Sequence, residues 1–478
     1  MRATLADRAW YLLTTALRMY RDHADAADWM RHQIDRFEGA LRIAVTGPAC
    51  SGKSTLINAL VGDEVAPVGT GFVWYQDGPT PRATLYPPGE AERELPVTRV
   101  ERGLRVEVPG WLPADADPGE IVVDWPARAL RHAVLIDTPA ADLDGGTMAR
   151  VRADADAVVY ATPTVAEADL LPLRPGPGSS PGAMVDTILV LSRADEVGGS
   201  RIDALSGARV IARRRDRGIA VRGRWQTVVA VSGLLAHTAR TLSEAEYAAL
   251  AALAAQPGAD LAGHLLSVDR FTGQAFPVPV DAPTRAALLD RLGLFGVRLA
   301  STLIRTDGAS QDTLPGLLLQ HSGLIELRDA VRELFLDRRQ VLKARSALRG
   351  LRMAVQVWPH PDAGELSAGI EQALASGHEL RELALLASLR AGRTRLSAER
   401  TDEARRLIGG YGDDIGTRLG APEYLDPTRA GTLTEESLHR WRGDAENGTL
   451  TEDQRRAART VVRSCEGLLT ELAHTDRR

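Results

Sequence analysis

The spacing of hydrophobic positions divides the chain into three parts. From Trp10 to Leu41, apolar residues recur at alternating steps of three and four, which predicts one amphipathic helix of about thirty residues. Such a stripe is buried when the helix packs against other helices. A helix lying on a membrane surface is the less favoured alternative, because acidic residues populate the polar face.

The second part, residues 42–235, alternates short β-branched runs with helical patterns. The runs that we interpret as the main strands are Ile43–Thr46, Ala133–Ile136, Ala157–Tyr160, Thr187–Leu191 and Thr227–Val231. Shorter candidate strands lie at 83–85, 104–108 and 121–123, and residues 172–181 form a loop rich in Pro, Gly and Ser. Strands that alternate with helices predict an α/β fold with a mostly parallel sheet.

The third part, beyond about residue 238, has a helical pattern to the end. The predicted helices cover the alanine-rich stretches to Leu266, then Thr284–Arg305, a helix capped by Ser322 that continues through Leu348, Leu366–Arg390 and Glu452–Leu472. The chain thus combines an α/β head with an all-α trunk.

Composition excludes several protein classes. Of 478 residues, 44% are hydrophobic and 25% charged, which is ordinary globular usage, and the net charge of -5 gives no indication of nucleic-acid binding. We expect no transmembrane helix and no signal peptide. The two cysteines, Cys50 and Cys465, cannot form a disulfide framework or a zinc site. We therefore expect a reduced, cytoplasmic protein.

One of the two lysines in the chain belongs to a nucleotide-binding motif. Residues 47–54, Gly-Pro-Ala-Cys-Ser-Gly-Lys-Ser, fit the P-loop pattern between a predicted strand and a predicted helix. The backbone N–H groups of such a loop surround phosphates, Lys53 reaches the β- and γ-phosphates as a catalytic residue, and the Ser54 hydroxyl binds Mg²⁺. The residues predicted to contact the nucleotide here are Gly47, Ala49, Cys50, Ser51, Gly52, Lys53, Ser54 and Thr55. Cys50 is interpreted as a small residue in a tight loop, with a redox switch as the alternative.

Three later strand ends supply candidate partners for the rest of the nucleotide. Asp137 ends a strand and can hold Mg²⁺ through water. Asp195, in the run Leu191-Ser-Arg-Ala-Asp, can accept hydrogen bonds from the two N–H donors of guanine, while Arg193 lies along the base. Ser232 ends the last strand, where backbone N–H groups can meet the guanine carbonyl. The alternative for each aspartate is an ordinary strand-ending turn.

Several runs resemble the bacterial dynamin-like GTPases, and in particular their actinobacterial isoniazid-inducible branch. The similar stretches are Gly52–Gly62 with Ala66-Pro67, Asp77–Arg82, Leu191–Glu196, Leu292–Gly296 and Ser322–Arg349, within residues 1–350. The resemblance implies a GTPase head on a helical bundle built from residues 8–41, 322–355 and 452–475. It also implies GTP or GDP with Mg²⁺ as cofactors, dimerisation through the heads and work on membranes. The predicted domains are therefore an N-terminal bundle helix (1–41), a GTPase head with helical additions (42–320) and a helical trunk (321–478).

The chain departs from this family where hydrolysis is controlled. Thr70 is the nearby candidate for the catalytic switch I threonine, in a loop that is several residues short. The switch II glycine is replaced by Ala140, and the P-loop carries Ala49 and Cys50 where eukaryotic members have glutamine and serine. Since phosphoryl transfer depends on positioning and electrostatics, these changes predict slow hydrolysis more than weak binding.

Three functions are consistent with these features. The leading one is a dynamin-like GTPase that couples head dimerisation to membrane remodelling, peripheral to the inner face of the cell membrane. The alternative is a weakly active or inactive GTP-binding scaffold, a subunit that partners a more active dynamin-like protein as a hetero-oligomer. A ribosome or assembly GTPase is disfavoured by the long flanking helices and the near-neutral charge.

Overall fold

The computed structural model describes residues 3–66, 71–100, 103–107, 119–140, 146–173, 185–218, 224–273, 279–421 and 425–475. Two predictions fall wholly or mostly outside these residues: the role of Thr70 and the proline-rich loop at 172–181.

A large mixed sheet forms the head. Its strands and those of one hairpin are β1 (Leu41–Thr46), β2 (Phe72–Asp77), β3 (Arg82–Tyr86), β4 (Arg93–Leu95), β5 (Val97–Val100), β6 (Gly103–Val106), β7 (Glu120–Trp125), β8 (Ala133–Asp137), β9 (Ala157–Thr162), β10 (Thr187–Leu191) and β11 (Thr227–Ala230). Among the described residues the sheet has nine strands in the order β11-β10-β9-β1-β8-β2-β7-β3-β4, and β5 pairs only with β6. The five strands β11, β10, β9, β1 and β8 run parallel, and β2 runs antiparallel to β8.

The predicted parallel α/β head is confirmed, because all five main strands form. Ile43 and Val45 face one hydrophobic core, and Ala44 faces the core on the other side of the sheet. A strand buried on both faces needs a continuous apolar run, which is why these segments were recognisable. The strand β2, with its Phe-Val-Trp-Tyr run, was not among the predicted strands.

Helices surround this sheet and build the trunk. Those of the first 322 residues are α1 (Leu5–Met19), α2 (Ala24–Glu38), α3 (Lys53–Val61), α4 (Gly146–Asp154), α5 (Ala204–Asp216), α6 (Gly233–Thr241), α7 (Glu244–Ala254), α8 (Gly258–His264), α9 (Val268–Thr272), α10 (Ala282–Asp307) and α11 (Leu314–Ser322). Those that follow are α12 (Leu324–Val331), α13 (Arg339–Val357), α14 (Ala363–Ser376), α15 (His378–Arg390), α16 (Ala398–Leu407), α17 (Ile415–Leu419), α18 (Pro427–Glu446) and α19 (Glu452–Thr475). Within the described residues, none of these helices has the combined length and apolarity to cross a bilayer.

The single N-terminal helix that the hydrophobic spacing predicted is wrong. The segment forms two helices, α1 and α2, separated at residues 20–23. The His23 side chain caps α2 by accepting a 3.2 Å hydrogen bond from the Ala26 N–H, so the second helix has its own start. The apolar spacing continues through the break because both helices pack against α13.

Two longer trunk predictions are also divided in the structure. The helix predicted from Ser322 begins after Gly323, which has a φ of 81°, and it changes to a π-helical turn at 332–336 before α13 starts. The predicted helix over 366–390 is interrupted at Gly377 between α14 and α15. Gly323 adopts this left-handed conformation readily because it lacks a Cβ.

The trunk consists of two groups of helices. The helices α1, α2, α13 and α14 share one core that includes Leu13, Met30 and Leu348. The predicted addition of the C-terminal helix to this bundle is wrong, because α19 packs mainly against α18 and α15, around Trp441. A spacing argument identifies the apolar face of α19 but not which neighbour covers it.

Candidate nucleotide-binding site

The predicted site residues lie at the carboxyl ends of the parallel strands. The P-loop follows β1, Asp137 ends β8, and Asp195 and Ser232 lie in the loops after β10 and β11. Ligands of open α/β sheets bind at this edge. The structure therefore brings the four predicted segments to one side of the sheet.

The P-loop backbone requires its glycines and carries one strained residue. Gly47 has a φ of 147°, and a Cβ at that position would lie 1.9 Å from the carbonyl oxygen of Ala161 on β9. Gly52 has a φ of 83° and is the N-cap of α3. Cys50 is exposed and adopts a φ of 55°, a left-handed conformation that costs a non-glycine residue about 1–2 kcal/mol. The loop is thus held in an unusual shape, as expected where backbone N–H groups must face a ligand.

Lys53 spans this loop. Its Nζ donates to the carbonyl oxygens of Pro48 at 3.1 Å and Gly47 at 3.3 Å. Burial lowers the pKa of Lys53, while the charge of Asp137 opposes that shift. The ammonium is therefore positioned over the loop by weak neutral acceptors, and phosphate oxygens are stronger partners for it.

Ser54 and Asp137 form a pair that suits a magnesium ion. The Ser54 hydroxyl donates a 2.8 Å hydrogen bond to Oδ2 of Asp137, whose Oδ1 is buried and has no hydrogen-bond partner among the described residues. Burial raises the pKa of Asp137, although the Ser54 hydrogen bond and the Lys53 charge oppose the shift. The protein thus offers only one carboxylate and one hydroxyl here. This small number of protein ligands suits Mg²⁺, because the ion usually keeps several waters and binds phosphate oxygens as well. The described residues contain no group of three or more His, Cys, Asp and Glu side chains that could hold another metal.

Asp195 and Ser232 are neighbours at this edge of the sheet. Burial raises the pKa of Asp195, and the neighbouring Ser232 side chain opposes that shift. The Ser232 hydroxyl oxygen accepts a 3.3 Å hydrogen bond from the Leu235 N–H. The Ser232 N–H donates to the carbonyl of Ser322 at 2.9 Å. The contact of this segment's backbone N–H groups with the guanine carbonyl stays a prediction.

Arg193 is exposed, unlike the buried residues Asp195 and Ser232. It has a φ of 49°, and its guanidinium forms a 3.0 Å ion pair with Glu196. Its side chain is 43% exposed. The aliphatic part of such a side chain can lie along a base while the charged end stays in water.

Comparison with known proteins identifies the family. No family model matches the chain. The isoniazid-induced protein IniC, from two strains of Mycobacterium tuberculosis, is 38% identical over 474 residues, which cover 95% of each chain. The chain belongs to the IniC family. The predicted resemblance to the isoniazid-inducible branch of the bacterial dynamin-like proteins is therefore confirmed.

Two solved structures are also similar to the chain. Both are of an oligomerised bacterial dynamin pair, described as providing a mechanism for the long-range sensing and tethering of membranes. They are 13% identical to the chain, cover 99% of it and 74% of their own length, and give TM-scores of 0.35 and 0.34. At these scores the likeness does not establish a shared arrangement of domains.

Two residues near the predicted base site were not singled out from the sequence. Ser192 has a buried hydroxyl with no partner in the described part of the chain, and its N–H donates to the Thr162 carbonyl at 2.9 Å. Gly293 interrupts α10 with φ 65° and ψ 174°, and a Cβ there would lie 3.7 Å from Oδ2 of Asp195. The sequence did offer a signal for Gly293, because a glycine within a helical pattern often marks an interruption of the helix.

The switch II alanine is accommodated without strain. Ala140 does not have a positive φ, so its Cβ causes no steric strain in the backbone. The preceding Thr138 is buried and donates its hydroxyl to the Val45 carbonyl at 3.2 Å, which ties this segment to β1. The alanine therefore keeps an N–H available in an ordinary backbone conformation.

Proposed function

We propose that this IniC family member binds guanine nucleotide with Mg²⁺ at the P-loop edge of the head. The observation that carries the proposal is the Ser54–Asp137 pair, in which one buried carboxylate oxygen has no partner in the described part of the chain. Beside it, the Lys53 ammonium donates to two loop carbonyls. Ser54 and Asp137 would hold the ion, which supplies charge neutralisation for the phosphates. Lys53 binds phosphate oxygens, and the loop N–H groups add further donors.

The preference for guanine rests on Asp195. A buried carboxylate is an acceptor on both oxygens, so it satisfies the adjacent N1–H and N2–H donors of guanine, whereas adenine presents no such pair. The neighbouring Ser232 side chain favours the ionised carboxylate, which accepts hydrogen bonds from the base.

We further propose that hydrolysis is slow and that the bound nucleotide controls dimerisation of the heads and membrane remodelling. Membership of the family supports the cellular role. The slow rate is inferred from Ala49 and Cys50, which stand where eukaryotic members have glutamine and serine. Positioning groups of this kind contribute roughly 10²–10³-fold each to the rate.

A GTP-binding scaffold is the second candidate, and the same P-loop positions favour it. Nucleotide binding and phosphate release, measured together on the full chain with and without liposomes, separate the two. Guanine-selective binding with release that Lys53→Ala abolishes supports the GTPase. Guanine-selective binding without release supports the scaffold, and absence of nucleotide binding contradicts both.

A further inference from the structure

A corner between two helices contacts both halves of the candidate nucleotide site. The corner is Ser322-Gly323-Leu324, where α11 ends and α12 begins, and α12 carries Arg328 on its next turn. Gly323 has a φ of 81°, which lets the chain turn sharply. The Ser322 hydroxyl accepts from the Leu324 N–H at 3.1 Å and donates to the Leu319 carbonyl at 2.7 Å. The direction of α12 is therefore fixed at this corner.

The first contact of the corner is with the loops proposed to bind the base. The Ser322 carbonyl accepts a 2.9 Å hydrogen bond from the Ser232 N–H. A Cβ on the glycine of the corner would overlap the carbonyl oxygen that ends β11, so the two backbones lie in direct contact. The next residue, Val231, accepts a 3.2 Å bond from the N–H of Ala194, which precedes Asp195. The corner thus supports both loops at the base end of the site.

The second contact is with the helix that follows the P-loop. The Arg328 guanidinium donates through Nη2 to the carbonyl oxygens of Ala59 at 3.0 Å and Leu60 at 3.1 Å. These carbonyls belong to the last turn of α3, which has no basic residue of its own there. Last-turn carbonyls lack a partner within their helix, and the helix dipole favours a cation beside them. Burial and the charge of Arg240 lower the pKa of Arg328 to about 10, so the guanidinium stays charged at neutral pH.

This contact bears on the phosphates because α3 carries phosphate-binding candidates at its other end. Lys53 and Ser54 form its first turn, about 10 Å along the axis from the carbonyls that Arg328 contacts. The P-loop is held separately, by Gly47 against β9 and by the bonds from Lys53 to loop carbonyls. A helix of nine residues moves as a unit, so a shift at its end moves the intact P-loop relative to the base loops.

We propose that Arg328 is a positioning residue that sets the distance between the phosphate-binding helix and the base-binding loops. This role rests on the proposed function, because it requires one nucleotide to occupy both halves of the site. Ser322 holds the start of α12 against the base loops, and Arg328 holds the same helix against α3. A ligand that spans both halves depends on their distance, whereas a ligand confined to the phosphate half does not.

The test compares a spanning ligand with its phosphate part. Calorimetric titrations of the full chain in Mg²⁺ measure GTP and inorganic tripolyphosphate, with wild type and with Arg328→Gln, which removes the charge. One charge-assisted hydrogen bond corresponds to about tenfold in an equilibrium constant, so we expect GTP to bind about tenfold more weakly. Affinity for tripolyphosphate should change less than about twofold, since the P-loop keeps its shape.

Two further variants separate positioning from general damage. Arg328→Lys keeps a cation beside the α3 carbonyls and should bind GTP within about threefold of wild type. The matched control is Arg332→Gln, an exposed arginine one helical turn later, which should change GTP affinity less than about twofold. Circular dichroism verifies that each variant folds. If Arg328→Gln does not fold, Arg328→Lys provides the same comparison, and any loss should again affect GTP alone.

Several results would overturn the positioning role. Equal loss for GTP and tripolyphosphate would show that Arg328 only supports the shape of the P-loop. Unchanged GTP affinity in Arg328→Gln, or the same loss in Arg332→Gln, would contradict the role while leaving nucleotide binding intact. A wild type that bound GTP but not tripolyphosphate would also contradict it, because the two halves would not act separately. A wild type that bound no GTP would contradict the proposed function itself.

Discussion

The hydroxyl of Ser54 donates a 2.8 Å hydrogen bond to Oδ2 of Asp137, and this contact joins the first turn of α3 to the end of β8. The second carboxylate oxygen of Asp137 is buried with no hydrogen-bond partner among the described residues. Two side-chain oxygens from separate segments thus meet beside the P-loop, where we propose that Mg²⁺ and the phosphates bind. The account of this protein as a nucleotide-binding head rests on that geometry.

Asp137→Asn should separate magnesium from phosphate binding. The amide keeps the size of the side chain but removes its charge, so the ion loses an anionic partner. We expect GTP affinity in Mg²⁺ to fall roughly 10- to 100-fold, with affinity in EDTA almost unchanged. Fluorescent nucleotide titrations in both buffers measure this difference. Equal loss in the two buffers would show that the substitution damages the loop itself.

Asp195→Asn should change base selectivity. The amide can accept from N1–H of xanthine and donate to its 2-carbonyl oxygen, whereas it faces the 2-amino group of guanine with a second donor. We expect GTP to bind about 10- to 100-fold more weakly and xanthosine triphosphate to bind more tightly than to wild type. Competition titrations give the dissociation constants of both nucleotides. Unaltered selectivity would place the base elsewhere.

Substitutions of Cys50 test whether the P-loop backbone is strained at this position. Because its φ is 55°, a β-branched residue is disfavoured there, whereas glycine is not. Cys50→Val should lower the free energy of unfolding by about 1–2 kcal/mol and weaken nucleotide binding, while Cys50→Gly should stay within about 1 kcal/mol of wild type. Urea denaturation provides the comparison. If both variants behaved alike, the left-handed conformation would be in doubt.

Asp186 links the head to the trunk. Burial alone would raise its pKa, but the guanidinium groups of Arg345 and Arg349 on α13 outweigh burial and hold the pKa below 3.8. The folded state therefore binds this proton more weakly than the unfolded chain. The stabilisation is fully present above pH 3.8 and is lost as the pH falls through the lower folded pKa.

We therefore expect Asp186→Asn to lose about 3–5 kcal/mol of unfolding free energy at neutral pH, since it leaves a buried guanidinium without its charge partner. Urea denaturation at a series of pH values measures the difference in unfolding free energy between wild type and Asp186→Asn. This difference should become smaller as the pH falls below 3.8. The exposed pair of Asp22 with Arg21 is the control, and Asp22→Asn should cost less than about 1 kcal/mol. A gap that stayed constant with pH would exclude the charge as its origin.

Sequence patterns predicted the parts of the molecule whose signal is local. Residues 41–46 are buried on both sides and read as a strand, and the P-loop follows from residue types at fixed spacing. The break at residues 20–23 was missed because α1 and α2 contact the same helix, so the apolar spacing continues across the turn. Contacts between residues far apart in the chain leave no such local pattern in the sequence. The occupation of the Ser232 N–H by Ser322, ninety residues later, depends on how the trunk returns to the head.

The most direct test is equilibrium binding of fluorescent GTP and ATP, in Mg²⁺, to the wild-type chain and to Lys53→Ala. In the proposed complex, Lys53 donates charge-assisted hydrogen bonds to phosphate, each worth about 1.5–3 kcal/mol. The account predicts that wild type prefers GTP over ATP and that Lys53→Ala, verified as folded by circular dichroism, binds GTP at least about tenfold more weakly. Equal affinity for the two nucleotides, or a Lys53→Ala variant that binds GTP as well as wild type, would contradict it.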